Sequence, residues 1–527
     1  MSATLFENAR FYSGLGEGDF YPYLLVEGGK VVRLCRERPD PKEFRRTVDL
    51  GGRYAYPCLL DGHVHLLYTM VTQAMGFDIC EIKDGAIVPD TMAGVEAHLR
   101  AFAKTKKPGE LVVANNYILS GIRETRLPTR QELDEWCGGR PAILFTIDGH
   151  ASAVSTDVLC KLGFDPASHD GVLTGEDNDR NMGRLTDLVA GAVTPSVLAR
   201  GVAKTENLCA EYGISHLGAL EGNGDSEKDL STRLLIFLAR RMRVNVRLYL
   251  QYFDVKRVER FRRILRKPRI GGCGTWEMDG ATGSHSAAHA APYRDTGKIA
   301  PCYYSQEAVD AIVREADARG YQIAAHAIGE CAIDRYVSAL MTTKPGRLHR
   351  LEHGEFMGGQ AIPLYSSGKF AVMVQPGYSW IDKRFLHSYE QFLEPRVIRK
   401  LKLKSLVEAG AILCGSSDSP VQGLNPYQQM QGMVDFYFPE ESVSIWEAFR
   451  SYTVNAARAL EEDDAGSLAP GKRADFFTAD CDLFSVSSDA LPDFRAHATY
   501  YGGKRLKPKK GTIAELLALC LRLPHKI

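Results

Sequence analysis

The sequence predicts an α/β protein: a (β/α)8 barrel with a large insertion after its first strand, plus a small β-sandwich built from both chain ends. Three observations predict it. The middle of the chain alternates apolar runs with helical patterns and yields eight such runs. Several of these runs end in residues that can bind metal, four histidines and one aspartate in all. Short strand-like segments beside Gly and Pro turns recur near both termini, which suggests that the two ends pair.

Residues 1–56 open with the strand patterns 23–26 and 30–34 around a turn at Glu27-Gly28-Gly29. The barrel is expected over 57–464. Its first strand is the apolar run from Tyr56 to His65, followed by 213–221, 244–250, 273–279, 321–326, 350–353, 370–375 and 411–418. Helical patterns over 227–241, 306–319 and 397–409 separate several of them. Residues 75–205 do not fit one βα unit. They carry strand patterns of their own (111–117, 142–147) and a helix start with Thr129 and Glu132 at capping-box spacing, so they are expected to be an insertion that shapes substrate access at the barrel mouth. Strand patterns return at 474–478 and 498–501. The composite β-sandwich domain is therefore expected from 1–56 and 465–510. A C-terminal helix over 511–527 starts with the same box spacing at Thr512 and Glu515.

The chain has 527 residues, with 65 Lys+Arg against 65 Asp+Glu. That balance favours neither nucleic acid nor an anionic membrane as partner and leaves a small-molecule substrate. The twelve cysteines are scattered, with no Cys-x-x-Cys, and read as reduced, mostly buried thiols. No basic-then-apolar signal opens the chain, and no run approaches the roughly 20 apolar residues that span a bilayer. A cytoplasmic protein is the expectation.

Asp61-Gly62-His63-Val64-His65 closes the first barrel strand. Residues two apart on a strand share a face, so His63 and His65 are expected to project together as half of a metal site. Barrel enzymes place their chemistry at the C-terminal strand ends. Strand five ends there in His326, strand six in His353 and strand eight in Asp418. Imidazole and carboxylate donors favour zinc, with manganese or iron as alternatives.

This order, carried by Asp-Gly-His-Val-His, His-Ala-Ile-Gly-Glu, Leu-Glu-His-Gly and Gly-Ser-Ser-Asp-Ser-Pro, resembles the amidohydrolase superfamily of metal-dependent hydrolases. The segments 452–457 and 466–475 resemble its C-terminal signature. Asp148-Gly149-His150 and the segment 278–284 resemble the branch that contains N-substituted formamide deformylases. The resemblance implies that His63, His65 and Asp418 hold the more buried ion. His326 and His353 then hold a second or position the substrate, for one or two ions in all. It further implies hydrolysis of a carbon–nitrogen bond in an amide, formamide or cyclic amide, by water activated at the metal. Asp418 is the general base and then acid, and His353 helps to polarise the scissile carbon. A homodimer is also expected from the resemblance. The alternatives are a metal-dependent decarboxylase or other lyase, and a non-catalytic interaction protein.

One departure stands out. Many members carry a carbamylated lysine on strand four that bridges two metals; Thr275 aligns with it here, and Lys267 and Lys298 only flank the strand. Glu277, two residues on, is the expected substitute bridge, with Cys273 on the same face as a soft-ligand outsider. The candidate substrate contacts are His150, Trp276, Asp279, His285 and Trp380. Asp279 has a competing role in shaping the strand-four loop.

Overall fold

Eight parallel strands form a nearly closed barrel, in the order in which they occur along the chain. They are β1 (Leu59–Val64), β2 (Ile214–Glu221), β3 (Asn245–Leu250), β4 (Arg269–Glu277), β5 (Gln322–Ala327), β6 (His349–His353), β7 (Phe370–Val374) and β8 (Ile412–Gly415). The coordinates are a computed structural model that describes residues 3–83, 86–147, 149–222, 230–358 and 362–527. Asp148 and the first residues of the expected helix 227–241 lie outside the described residues; the rest of that helix is Leu230–Ala239. Apart from β4, every residue of every barrel strand is buried, as parallel strands covered on both faces must be.

The barrel closes where β1 meets the segment after β8. Val64 bridges Ser419 in parallel, the Asp418 amide donates to His63 O at 2.9 Å, and the His65 amide donates to Ser419 O at 2.8 Å. Closure therefore sets the His63, His65 and Asp418 backbones side by side. The interior is packed with Leu60, Leu220, Ala324, Met373 and Cys414. A Cβ on Gly62 would stand 2.3 Å from the Met373 methyl, so only glycine lets β1 lie this close to its neighbours.

β4 is irregular. Gly272 pairs with Ala325 and Glu277 with His326, so Cys273–Trp276 face no partner residues on β5 and bulge from the ladder. Gly271, Gly272 and Gly274 carry φ of 104°, 133° and 73°, values that L side chains rarely adopt. A Cβ on Gly271 would lie 1.9 Å from Ala324 O.

Between β1 and β2 the chain forms a separate five-stranded sheet from Phe77–Asp78, Val112–Tyr117, Ala142–Thr146, Ala151–Val154 and Val172–Thr174. Its own apolar cluster includes Val95, Leu99, Leu133 and Trp136. The capping box at Thr129 and Glu132 is formed. The helix Pro195–Glu211 packs on Leu66–Met75 and runs straight across the boundary expected at 205. The two chain ends share one continuous eight-stranded sheet, in which Arg46–Pro57 pairs with Thr4–Tyr12 and with Phe476–Ala479. The expected helix over 397–409 is instead two short ones, Pro395–Ile398 and Lys404–Glu408. The Glu441 carboxylate takes the Leu403 and Ser405 amides, and Leu401 bridges Phe356, so tertiary partners outcompete the helical ladder there. Among the described residues, no helix is long and apolar enough to cross a membrane.

Candidate metal centre

The C-terminal strand ends bring His65, His326, His353 and Asp418 to the floor of one cavity of about 620 Å³, together with Cys273 from the β4 bulge, and His63 lies buried against them. Asp418 Oδ1 lies 3.0 Å from His63 Nε2 and 3.2 Å from His65 Nε2. It is buried and accepts no hydrogen bond, so the three donor atoms converge without satisfying one another. Tetrahedral zinc with bonds of about 2.0–2.1 Å separates its ligand atoms by about 3.3 Å, close to these spacings. Asp418 (φ 56°) and His353 (φ 65°) both sit in the left-handed region, which non-glycine residues occupy where a side chain must be aimed.

Outer partners fix the imidazoles. His63 Nδ1–H donates to Glu352 Oε2 at 2.8 Å. Arg350 holds that carboxylate with Nε and Nη2 at 2.7 and 2.8 Å and so keeps it an acceptor. His353 Nδ1–H donates to Gln375 Oε1 at 2.9 Å, with the Gln375 amide nitrogen donating to Ser416 Oγ. His326 Nε2–H donates to Gly280 O at 3.2 Å. These bonds leave Nε2 of His63 and His353, and Nδ1 of His326, facing inward, the arrangement that carboxylate or carbonyl partners impose on metal-ligating histidines.

Cys273 Sγ sits 3.6 Å from His63 Nε2 and 3.7 Å from His353 Nε2. Burial alone would raise its pKa; the charge of His63 and the contacts with His326, His353 and His63 bring it well below the usual thiol range. Asp418 behaves alike: burial raises it, and His63 and His65 more than offset that. Burial likewise opposes charge on His65, yet Asp418 and Cys273 pull it up to about 10. The cluster therefore draws positive charge to the inward nitrogens, which a bound cation would supply.

Glu277 lies with His326 rather than with His63. Its Oε1 accepts the Gly274 amide at 2.6 Å, and its carboxylate groups with His150 and His326. The bulge breaks the period-two alternation that placed Thr275, Glu277 and Cys273 on one face. His150, from the turn between two strands of the inserted sheet, reaches the cavity wall, with its ring 5.2 Å from that of His326. The other expected substrate contacts lie elsewhere. Trp276 is fully buried and donates to Tyr252 O. The Asp279 carboxylate accepts the Ala288, Ile328 and Gly329 amides, which ties the β4 loop to the end of β5. His285 pairs with Asp295 at 2.7 Å, and Trp380 donates to Asp435. None of these four is a wall residue of the cavity.

The wall also holds groups that the sequence did not single out. Tyr378 donates to Asp418 Oδ2 at 2.8 Å. Burial pushes Glu221 and Glu355 each up to about 7, the latter despite a hydrogen bond from Tyr389. Arg350 and Glu352 did leave a signal, since charged residues inside an apolar barrel strand are rarely buried unless paired. Tyr378 left none.

The model described as Amidohydrolase family matches residues 46–506. The chain belongs to the amidohydrolase family. It is 23% identical to amidohydrolase YtcJ of Bacillus subtilis (strain 168), over 94% of this chain and 97% of that one. It is 24% identical to N-substituted formamide deformylase of Arthrobacter pascens, over 91% of this chain and 94% of that one. Among solved structures, an uncharacterized metal-dependent hydrolase from Pyrococcus horikoshii OT3 superposes with a TM-score of 0.70 at 20% identity, covering 93% of this chain and 99% of that one. That likeness agrees with the barrel described above.

Proposed function

We propose that this amidohydrolase cleaves a carbon–nitrogen bond in a small neutral amide, formamide or cyclic amide, with a divalent ion on His63, His65 and Asp418; the donor types favour zinc. The observation that carries this reading is the Asp418 carboxylate. Its Oδ1 faces two imidazole nitrogens without a hydrogen bond, and its Oδ2 faces Tyr378. A divalent ion held there would supply a water of lowered pKa and polarise a carbonyl oxygen. Asp418 Oδ2 is then the base that takes a proton from water and returns it to the leaving nitrogen, with the Tyr378 hydroxyl holding that oxygen in place. His326 and His353 form the second half of the donor set. His353 is held by Gln375 and presents its Nε2 inward, where it would serve as a ligand of a second ion. Tyr68, Tyr117, Tyr303 and Tyr304 on the wall suit an uncharged aromatic or aliphatic amide. The resemblance to the formamide deformylase supports N-formyl amines as one candidate class.

The test is a screen of N-formyl amines, N-acyl amino acids and cyclic amides on protein of measured metal content, with amine, ammonia and acid all monitored. Asp418→Asn is expected to lower turnover by about 10²–10⁴-fold with an unchanged circular dichroism spectrum. Activity that survives removal of all metal, or carbon dioxide release without acid formation, would overturn the reading.

A further inference from the structure

Cys273 is the donor that the metal reading does not yet use, and its position is unusual. The β4 bulge carries it off the strand ladder to the centre of the imidazole set. On one side its sulfur meets Nε2 of His63, which belongs with His65 and Asp418. On the other it meets Nε2 of His353, whose ring lies 4.5 Å from that of His326. Glu352 and Gln375 occupy the far nitrogens of these two rings, so both inward nitrogens face the same sulfur.

Two cations held this close need an anion between them. No lysine lies among the described wall residues of the cavity, and Lys267 pairs instead with Asp463. Glu277 is held by the Gly274 amide and grouped with His150 and His326, away from His63. Among the described residues, the Cys273 sulfur touches both sets, whereas the Asp418 carboxylate reaches His353 only through Oδ2, at 4.0 Å. Thiolates are strong zinc ligands and favour zinc or cobalt over hard cations.

We propose that the Cys273 thiolate bridges two divalent ions, one on His63, His65 and Asp418 and the other on His326 and His353. The thiol proton leaves to solvent when the ions bind. This inference rests on the proposed metal-dependent reading, and the experiment separates the two. The full chain is stripped of metal and titrated with Co²⁺ while its near-ultraviolet absorption and bound cobalt are measured. The expected result is two equivalents of cobalt and an intense sulfur-to-cobalt charge-transfer band that grows with both. Cys273→Ser is expected to lose the band and one equivalent, and Cys273→Asp, whose carboxylate can still bridge, to keep two equivalents without the band. Cobalt bound to the wild-type chain without the band, a band that saturates at one equivalent, or a band that persists in Cys273→Ser would overturn the bridge and leave the metal reading standing. A chain that binds no cobalt at all would defeat both.

Discussion

Two buried ionic clusters lie at opposite ends of the barrel and have different work to do. At the C-terminal end, Arg350 and Glu352 form a buried pair whose free carboxylate lone pair holds His63. At the N-terminal end, Glu462 faces Arg247, Arg266 and Arg269, and Arg269 also caps Leu460 O at 2.5 Å. The Tyr249 ring stands between them, with Arg350 at 4.1 Å and Arg269 at 5.7 Å. The chemical parts are the same, but one cluster ends on a donor nitrogen and the other on backbone and arginine. Barrel enzymes separate catalytic from stabilising roles in this way between the two faces. The third group that each buried ion pair touches, an imidazole at one end and backbone at the other, is what sets the two clusters apart.

The sharpest way to break this contrast is to neutralise each carboxylate. Glu462→Gln and Glu352→Gln each leave buried guanidinium groups short of a counter-ion, and each is expected to cost about 3–5 kcal/mol of stability, measured by urea unfolding of the metal-free chain. Only Glu352→Gln is expected also to weaken metal binding, by about 10–100-fold, because it loosens His63 Nδ1. Equal loss of metal affinity in Glu462→Gln would erase the distinction between the two ends.

A smaller effect separates the ends by pH. His349 begins β6 at the N-terminal end, where its Nδ1 accepts the Ile323 amide at 3.2 Å. Burial, with smaller effects from Arg347 and Lys369 set against Asp317, lowers its pKa to about 4. A histidine depressed in the folded state contributes stability that is present above its unfolded pKa of about 6.5 and is lost as pH falls toward 4. The loss reaches about 3 kcal/mol at most. Unfolding of the metal-free chain between pH 7 and pH 4 should show this decline, and His349→Gln should reduce it. An unchanged decline in that variant would place the acid sensitivity elsewhere.

The same contrast explains what the sequence revealed. The eight strands were legible because parallel barrel strands are mostly apolar, and His63, His65, His326, His353 and Asp418 were legible as strand-end residues because each lies at the end of such a run. Strand four was misread for a physical reason. The alternation rule assumes an unbroken ladder, and three glycines with positive φ let Cys273–Trp276 leave it, which set Glu277 beside His150 and His326 and Cys273 beside His63 and His353. Trp276, Asp279, His285 and Trp380 sit near the mouth in sequence but spend their polar atoms on loops and neighbouring strands, and a motif cannot report how a hydrogen bond is spent. The helix expected over 397–409 failed because a single distant carboxylate, Glu441, takes two of its amides.

Gln375 gives the finest test of the contrast, because it positions a donor histidine without any charge. Its side-chain oxygen accepts from His353 Nδ1 while its amide nitrogen is held by Ser416 Oγ and Met373 O. Gln375→Leu removes the acceptor and leaves no guanidinium unpaired. Stability should fall by only about 1–3 kcal/mol, the cost of leaving one buried donor unsatisfied. If the two histidine sets hold separate ions, the loss of affinity falls on the His326–His353 ion alone. Cobalt titration should then show one site unchanged and one weakened by about tenfold or more. Uniform weakening of both sites would mean that the two halves of the cluster act as a single ligand set.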